Sequence, residues 1–234
     1  MSILSHQIEG VLEIRLNRPD KLNALSFAMA RELLTCVNDG LRDAQVRTVL
    51  LCGEGRAFCA GKDRDDPPAA AFVTVLQDLT EALVNTPKPV VAAVHGWVIG
   101  AGLELMLGSD IAIASRSARF MLPEVNVGLL GTGAVASLLP RSVGLQKAKG
   151  MLMLGSEVSA VDAERWGLIW AVAEDEQLMA QARRLARRLA ASGRSILGAM
   201  KTLLHRETIG DITDALQREA RVHDKLTGRP PLQC

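Results

Sequence analysis

The stretch GWVIGAGLELMLGSDIAIAS, residues 96–115, decides how this chain is read. It follows an apolar run, VVAAVHG (90–96), and passes through three small residues, Gly100-Ala101-Gly102, before closing on DIAIAS (110–115). An apolar run, a small-residue turn, a helix-length apolar segment and a second apolar run predict a strand, a short helix at about 101–108, and another strand. Within this pattern Glu104 is out of place, among Leu103, Leu105, Met106 and Leu107. A leucine packs better there, and a buried carboxylate is costly unless something compensates. A group held against that cost is a candidate for chemistry.

Working outward, the same order recurs. Residues 3–17 read as two strands around Glu9-Gly10. RPDKLNALS is a loop whose Ser26 caps a helix over about 27–43. VRTVLLCGEG (46–55) is a strand running into the Gly-rich turn GRAFCAGKD. Asp65-Asp66-Pro67-Pro68 breaks the chain before a helix over about 69–84, which Pro87 and Pro89 stop. Strand, turn and helix in repetition predict a sheet with helices packed against it. After about 140 the helical period dominates, over 144–154, 159–166, 175–192, 194–207 and 211–226, with LIWAVA (168–173) the remaining strand-like run. The division is an α/β core over 1–175 and a helical region over 176–234.

Composition narrows the function. The 234 residues carry a net charge of +1, so no global field selects nucleic acid or an anionic membrane. Aromatics are 3% and tyrosine is absent, which removes the stacking platforms that single-stranded nucleic acid requires. Asp110 and Glu104 interrupt the best apolar run, and the N-terminus lacks a signal-peptide pattern, so a cytoplasmic protein is expected. Cys36, Cys52, Cys59 and Cys234 show no metal or disulfide spacing.

Two turns then carry the chemistry. At Gly100-Ala101-Gly102 a strand ends and a helix starts, leaving N–H groups without helical partners. Cys59-Ala60-Gly61-Lys62-Asp63 has the same build. Two such turns on neighbouring strands would aim two N–H donors at one carbonyl oxygen, an oxyanion hole. Glu124, in FMLPEVNVG, follows Glu104 by 20 residues, and the two form a candidate acid–base pair.

At this point GEGRAFCAGKD, PKPVVAAVHGWVIGAGLEL, SDIAIAS with FMLPEVNVG, IRLNRPDKLNALS and LLPRSVGLQKA together resemble the enoyl-CoA hydratase/isomerase (crotonase) family over about residues 5–175. The resemblance implies a crotonase-like spiral of ββα units with C-terminal helices that mediate trimerisation, as a homotrimer or a dimer of trimers. It implies an acyl-CoA thioester substrate, coenzyme A being part of the substrate and no other cofactor being needed. By position, the oxyanion-hole amides fall to Lys62 and Ala101, and Glu104 and Glu124 match both hydratase glutamates. The implied reaction is syn addition of water across the 2,3 double bond of a 2-enoyl-CoA, with Glu104 as base toward the water and Glu124 as proton donor to Cα. Lys21, Leu22, Ala24, Ala60, Asp63, Gly100 and Thr132 are the implied substrate-binding positions. The family usually has Pro-Gly-Gly after the second glutamate. Here the turn is GLLGTGAVAS, with Gly131 in the Pro position and Thr132 in a Gly position, at a helix start that normally helps place the water. The tail REARVHDKLTGRPPLQC is shorter than is typical of a region that can cover CoA or a neighbouring site.

The alternatives are an isomerase using mainly Glu124, and a relative without turnover that binds RNA or acts as a scaffold. Arg183, Arg184, Arg187 and Arg188 form the stripe such an RNA binder would use; a solvated face near Glu174, Asp175 and Glu176 is the plainer reading. Lys62's side chain is expected to be solvated, as are the acids Asp63, Asp65 and Asp66, with no metal bound. His95 reads as structural, Asp110 as an anchor for backbone N–H groups, and Asn23 as the fastener of loop 18–25. GTGAVA (131–136) matches a dinucleotide fingerprint but lacks a good central strand before it.

Overall fold

The computed structural model describes residues 1–66 and 70–228. The chain begins with β1 (Ile3–Ile8) and β2 (Val11–Leu16), then α1 (Phe27–Arg42), β3 (Thr48–Gly53), α2 (Ala70–Asn85) and β4 (Val90–Val94). Next come β5 (Trp97–Ile99), α3 (Ala101–Leu107), β6 (Ile111–Ser115), β7 (Arg119–Met121) and a 3-10 turn, Glu124–Val127. The remainder is α4 (Val135–Val143), α5 (Leu145–Leu154), β8 (Val158–Ser159), α6 (Ala160–Trp166), β9 (Ala171–Ala173), α7 (Leu178–Ala191), α8 (Arg194–Thr208) and α9 (Ile212–Thr227). Ser26 caps α1 as expected, its hydroxyl accepting from the Met29 N–H at 3.2 Å.

The main sheet runs β1-β2-β3-β4-β6-β9, antiparallel at β1–β2 and parallel thereafter. Its central strands are buried on both faces, which is why they read as unbroken apolar runs. Val49, Leu51, Val90, Ala92 and Val94 belong to the large cluster that includes Met29 and Leu33 of α1 and Leu79 and Leu83 of α2. Leu50, Cys52, Val91 and Ala93 face Ala182, Ala186 and Ala190 of α7. Small alanines let α7 approach the sheet closely. A second sheet, β5-β7-β8, stands beside the first.

Three expectations needed adjustment. The strand expected over 90–96 ends at Val94; the chain kinks at Gly96, with φ +54°, and restarts as β5 in the second sheet. Helix α4, for which the sequence marked only a helix start after Gly131-Thr132, runs to Val143 with Pro140 inside it. The strand within 168–173 is confined to β9. The expected Pro67-Pro68 break and the tail beyond Gly228, with Cys234, lie outside the described residues. Among the described residues no helix is long and apolar enough to cross a membrane.

Helix α9 folds back onto the core. Ile212, Ala215 and Leu216 are buried with Val84 of α2 and with Ala134 and Leu138 at the start of α4. The same stripe, continued at four-residue steps, places Glu219, His223 and Thr227 toward the interior.

Candidate active site

The two small-residue turns meet. Cys59 N–H donates to Trp97 O at 3.1 Å and Ile99 N–H donates to Cys59 O at 3.0 Å, which lashes the 59–62 turn alongside β5. A methyl on Gly61 would sit 3.9 Å from the Ala101 nitrogen. Lys62 is held by its neighbours, since Leu25 N–H donates to Gly61 O at 2.7 Å and Asp63 N–H donates to Leu25 O at 2.8 Å. Among the described residues neither the Lys62 N–H nor the Ala101 N–H has a backbone acceptor. Both residues line one cavity of about 150 Å³.

Glu104 and Glu124 line the same cavity. Gly100 makes room for the second: its φ of +51° suits glycine, and a methyl there would fall 2.5 Å from Glu124 Oε1. Gly131 makes room for the first, since a methyl there would fall 2.4 Å from Glu104 Oε1. Proline also carries a Cβ, so Gly131 in place of Pro belongs with the position of this carboxylate. Thr132 N–H donates to Glu104 Oε1 at 2.9 Å.

Glu104 is 2% exposed, and its carboxyl is pushed up to about 8. Burial is the largest cause, followed by the negative charges of Glu124 and Glu219; the Thr132 and Gly133 N–H groups pull the other way. Glu124 is also raised, by burial, and among the described residues its Oε2 is buried without a hydrogen-bond partner. Burial therefore favours the protonated form of both carboxyls, and Glu104 is the more completely buried of the two.

The remaining expected positions divide. Thr132 lines the cavity with Lys62 and Ala101. Lys21, Leu22, Ala24, Ala60, Asp63 and Gly100 are not among the residues lining it; they form the loops around it. Ala60 N–H donates to Leu22 O at 3.0 Å, tying the 18–25 loop to the turn. Asn23 fastens that loop as expected, accepting from Arg18 N–H and donating to Glu54 O and Ala57 O. Asp63 is buried rather than solvated, and Arg18 at 2.6 Å and the Asp65 N–H hold its carboxyl below the usual range. Asp65 pairs with Lys21 and Asp66 accepts from the Phe27 N–H, so the three acids serve three separate partners. The Lys62 ammonium is not free in solvent either; it donates to Asp63 O and Asp66 O and lies 5.4 Å from the centre of the Phe72 ring.

His95 contacts Gly55 O at 2.9 Å and Asp110 accepts from the Val90 N–H at 2.7 Å, both structural as read. Arg183 and Arg187 pair with Glu13 and Glu9 on the β1–β2 hairpin, whereas Glu174 pairs with Arg116. The arginine stripe is thus partly neutralised by a different surface from the one expected. Sequence reasoning missed Glu219, His223, Phe72, Leu76 and Leu130 as cavity or near-cavity residues. The one signal available was a glutamate and a histidine four apart on the apolar stripe of α9.

Comparison with known proteins shows the family. The enoyl-CoA hydratase/isomerase family matches residues 6–230. A 1,2-epoxyphenylacetyl-CoA isomerase of Escherichia coli strain K12 is 38% identical, over 97% of this chain and 90% of its own length. A probable enoyl-CoA hydratase of Rhodobacter capsulatus is 36% identical, over 93% of this chain and 86% of its own. A solved enoyl-CoA hydratase from Mycobacterium avium subsp. paratuberculosis superposes with a TM-score of 0.92 at 28% identity, covering 98% of this chain and 95% of that one. The fold is that of the crotonase enzymes. The chain belongs to the enoyl-CoA hydratase/isomerase family.

Proposed function

We propose that the protein is an enoyl-CoA hydratase, adding water across the 2,3 double bond of a 2-enoyl-CoA. One observation carries this reading: Lys62 and Ala101, whose N–H groups have no backbone acceptor among the described residues, line a single cavity with two glutamates. The cavity is about 150 Å³. The thioester oxygen accepts from the Lys62 and Ala101 N–H groups, drawing electron density off Cβ. One of the two glutamates takes a proton from the water as the oxygen–Cβ bond forms. The other gives a proton to Cα as the enolate collapses. The proton has moved from one glutamate to the other, and exchange with solvent resets the pair. Phe72, Val73, Leu76, Leu129 and Leu130 supply the apolar wall. The reading includes assembly as a homotrimer or a dimer of trimers, which would cover Ile196, Met200, Leu203 and Leu204, exposed on α8.

The test is to add the enzyme to 2-enoyl-CoA thioesters of graded length. Loss of the conjugated absorbance together with a mass gain of one water supports the reading; no loss at any length rejects it. A second reading, double-bond isomerisation with Glu124 as the single base, is favoured by the Glu124 Oε2, which has no partner among the described residues. It predicts gain of conjugated absorbance from a 3-enoyl-CoA with no change in mass.

A further inference from the structure

We infer that Glu219 of α9 is a positioning residue for the reaction, holding the loop before α4 so that the Thr132 N–H meets Glu104. This inference rests on the reading of Glu104 as a reacting group. Glu219 is buried, and its two carboxylate oxygens accept from the Ala134 N–H at 2.7 Å and the Ala136 N–H at 2.6 Å. No side chain of the loop itself caps α4. Ala134, the residue at the cap, is fully buried with φ +63° and ψ +22°, a left-handed conformation that is unfavourable for a non-glycine residue. That conformation turns the chain from Thr132 into the helix, and the Glu219 carboxylate sits on the N–H of the strained residue. On the other side, Gln77 Nε2 of α2 donates to Thr132 O and to Leu216 O of α9, both at 3.1 Å. Thr132 therefore has its carbonyl fixed by Gln77 and its N–H on Glu104, two residues before an amide fixed by Glu219.

The arrangement answers the question raised by Gly131 and Thr132 in the helix-start turn. The turn is stiffened from outside, by a buried carboxylate 85 residues further along the chain. It also ties the docking of α9 to the electrostatics of the site, because Glu219 is one of the charges that raise Glu104. The titratable groups on the elements that meet α9 include Glu124 and His223 at the cavity, Arg218 on α9 itself, and Asp78 and Glu81 on the packed helix α2. Helix α4 adds Arg141, in its last turn.

The test uses the full chain with Glu219→Gln and Glu219→Asp, read first without substrate. Glu219→Gln removes the charge and one acceptor; Glu219→Asp keeps the charge and shortens the reach. Amide exchange at Ala134 and Ala136 is expected to accelerate at least about tenfold in Glu219→Gln, by loss of local protection. In a ¹³C-glutamate titration the Glu104 carboxyl is expected to move to lower pH in Glu219→Gln and to stay up in Glu219→Asp. With 2-enoyl-CoA, Glu219→Gln is expected to lower kcat about ten- to a hundredfold, the scale of a misplaced group, with KM within about threefold. Unchanged amide exchange, or a Glu104 titration identical in wild type and Glu219→Gln, overturns the inference. So does a loss of activity confined to KM or to thermal stability. Wild type without turnover, but with the exchange and titration responses present, would reject the hydratase reading and leave the positioning role standing.

Discussion

Glu104→Gln should abolish the chemistry and stabilise the fold, and the second effect has a pH signature. Glu104 is 2% exposed, with its carboxyl pushed from 4.5 up to about 8. A carboxyl raised on folding favours the native state fully below its unfolded pKa and loses that contribution as pH rises through its folded pKa. Each tenfold difference in proton affinity is about 1.4 kcal/mol, so the gap between 4.5 and about 8 amounts to on the order of 5 kcal/mol at complete ionisation. Gln keeps an acceptor for the Thr132 N–H but turns an amide toward the Gly133 N–H, a mismatch costing roughly 1–3 kcal/mol. The net expectation at pH 8.5 is a variant more stable by about 2–4 kcal/mol. For a chain of this length that is roughly 4–16 °C in Tm. At pH 5 the advantage should be gone, because both proteins are then neutral at this position. The assay is thermal denaturation at fixed protein concentration from pH 5 to 8.5. A variant no more stable than wild type at pH 8.5, or one with a pH-independent advantage, refutes the reasoning.

Other consequences follow from the same geometry. Gly131→Ala places a methyl where Glu104 Oε1 now sits, 2.4 Å away; kcat should fall at least about tenfold while the protein remains folded, checked by steady-state kinetics beside circular dichroism. Glu124→Gln removes one of the two proton-transferring carboxyls, and kcat should fall by about 10²–10⁴ with acyl-CoA affinity nearly unchanged, checked by turnover and calorimetry; comparable turnover would exclude Glu124 from proton transfer. The buried Cys52 and Cys59 thiols, each pushed up to about 12, should resist a thiol reagent at pH 8 in the native protein, while half-buried Cys36 reacts faster; mass mapping of labelled peptides reads this directly.

The parts of the fold that were legible share a physical cause. The strands VLLC and VVAAV are buried on both faces, so burial alone wrote them as apolar runs. Glu104 was legible because it violates its own surroundings. Glu124 was legible only beside it, through the ordered motifs. Strands β5, β7 and β8 are two or three residues long and gave no period to detect. The extent of helix α4 had no local signal, because its first turn is held by Glu219, 83–85 residues away, and not by local capping residues. Asp63 looked solvated because the guanidinium that buries it comes from Arg18, 45 residues earlier. What a sequence window conceals here is the long-range polar contact, which has neither a period nor a local partner.

The central claim is that the Lys62 and Ala101 amides polarise one acyl oxygen while two glutamates stand at the adjacent carbons. The most direct measurement is the infrared difference spectrum of a carbonyl-¹³C-labelled 2-enoyl-CoA bound to Glu104→Gln, which binds without turning over. The account predicts that the thioester carbonyl stretch moves to lower frequency on binding, as two N–H donors weaken the bond. A carbonyl stretch unchanged from that of the thioester free in water would contradict it.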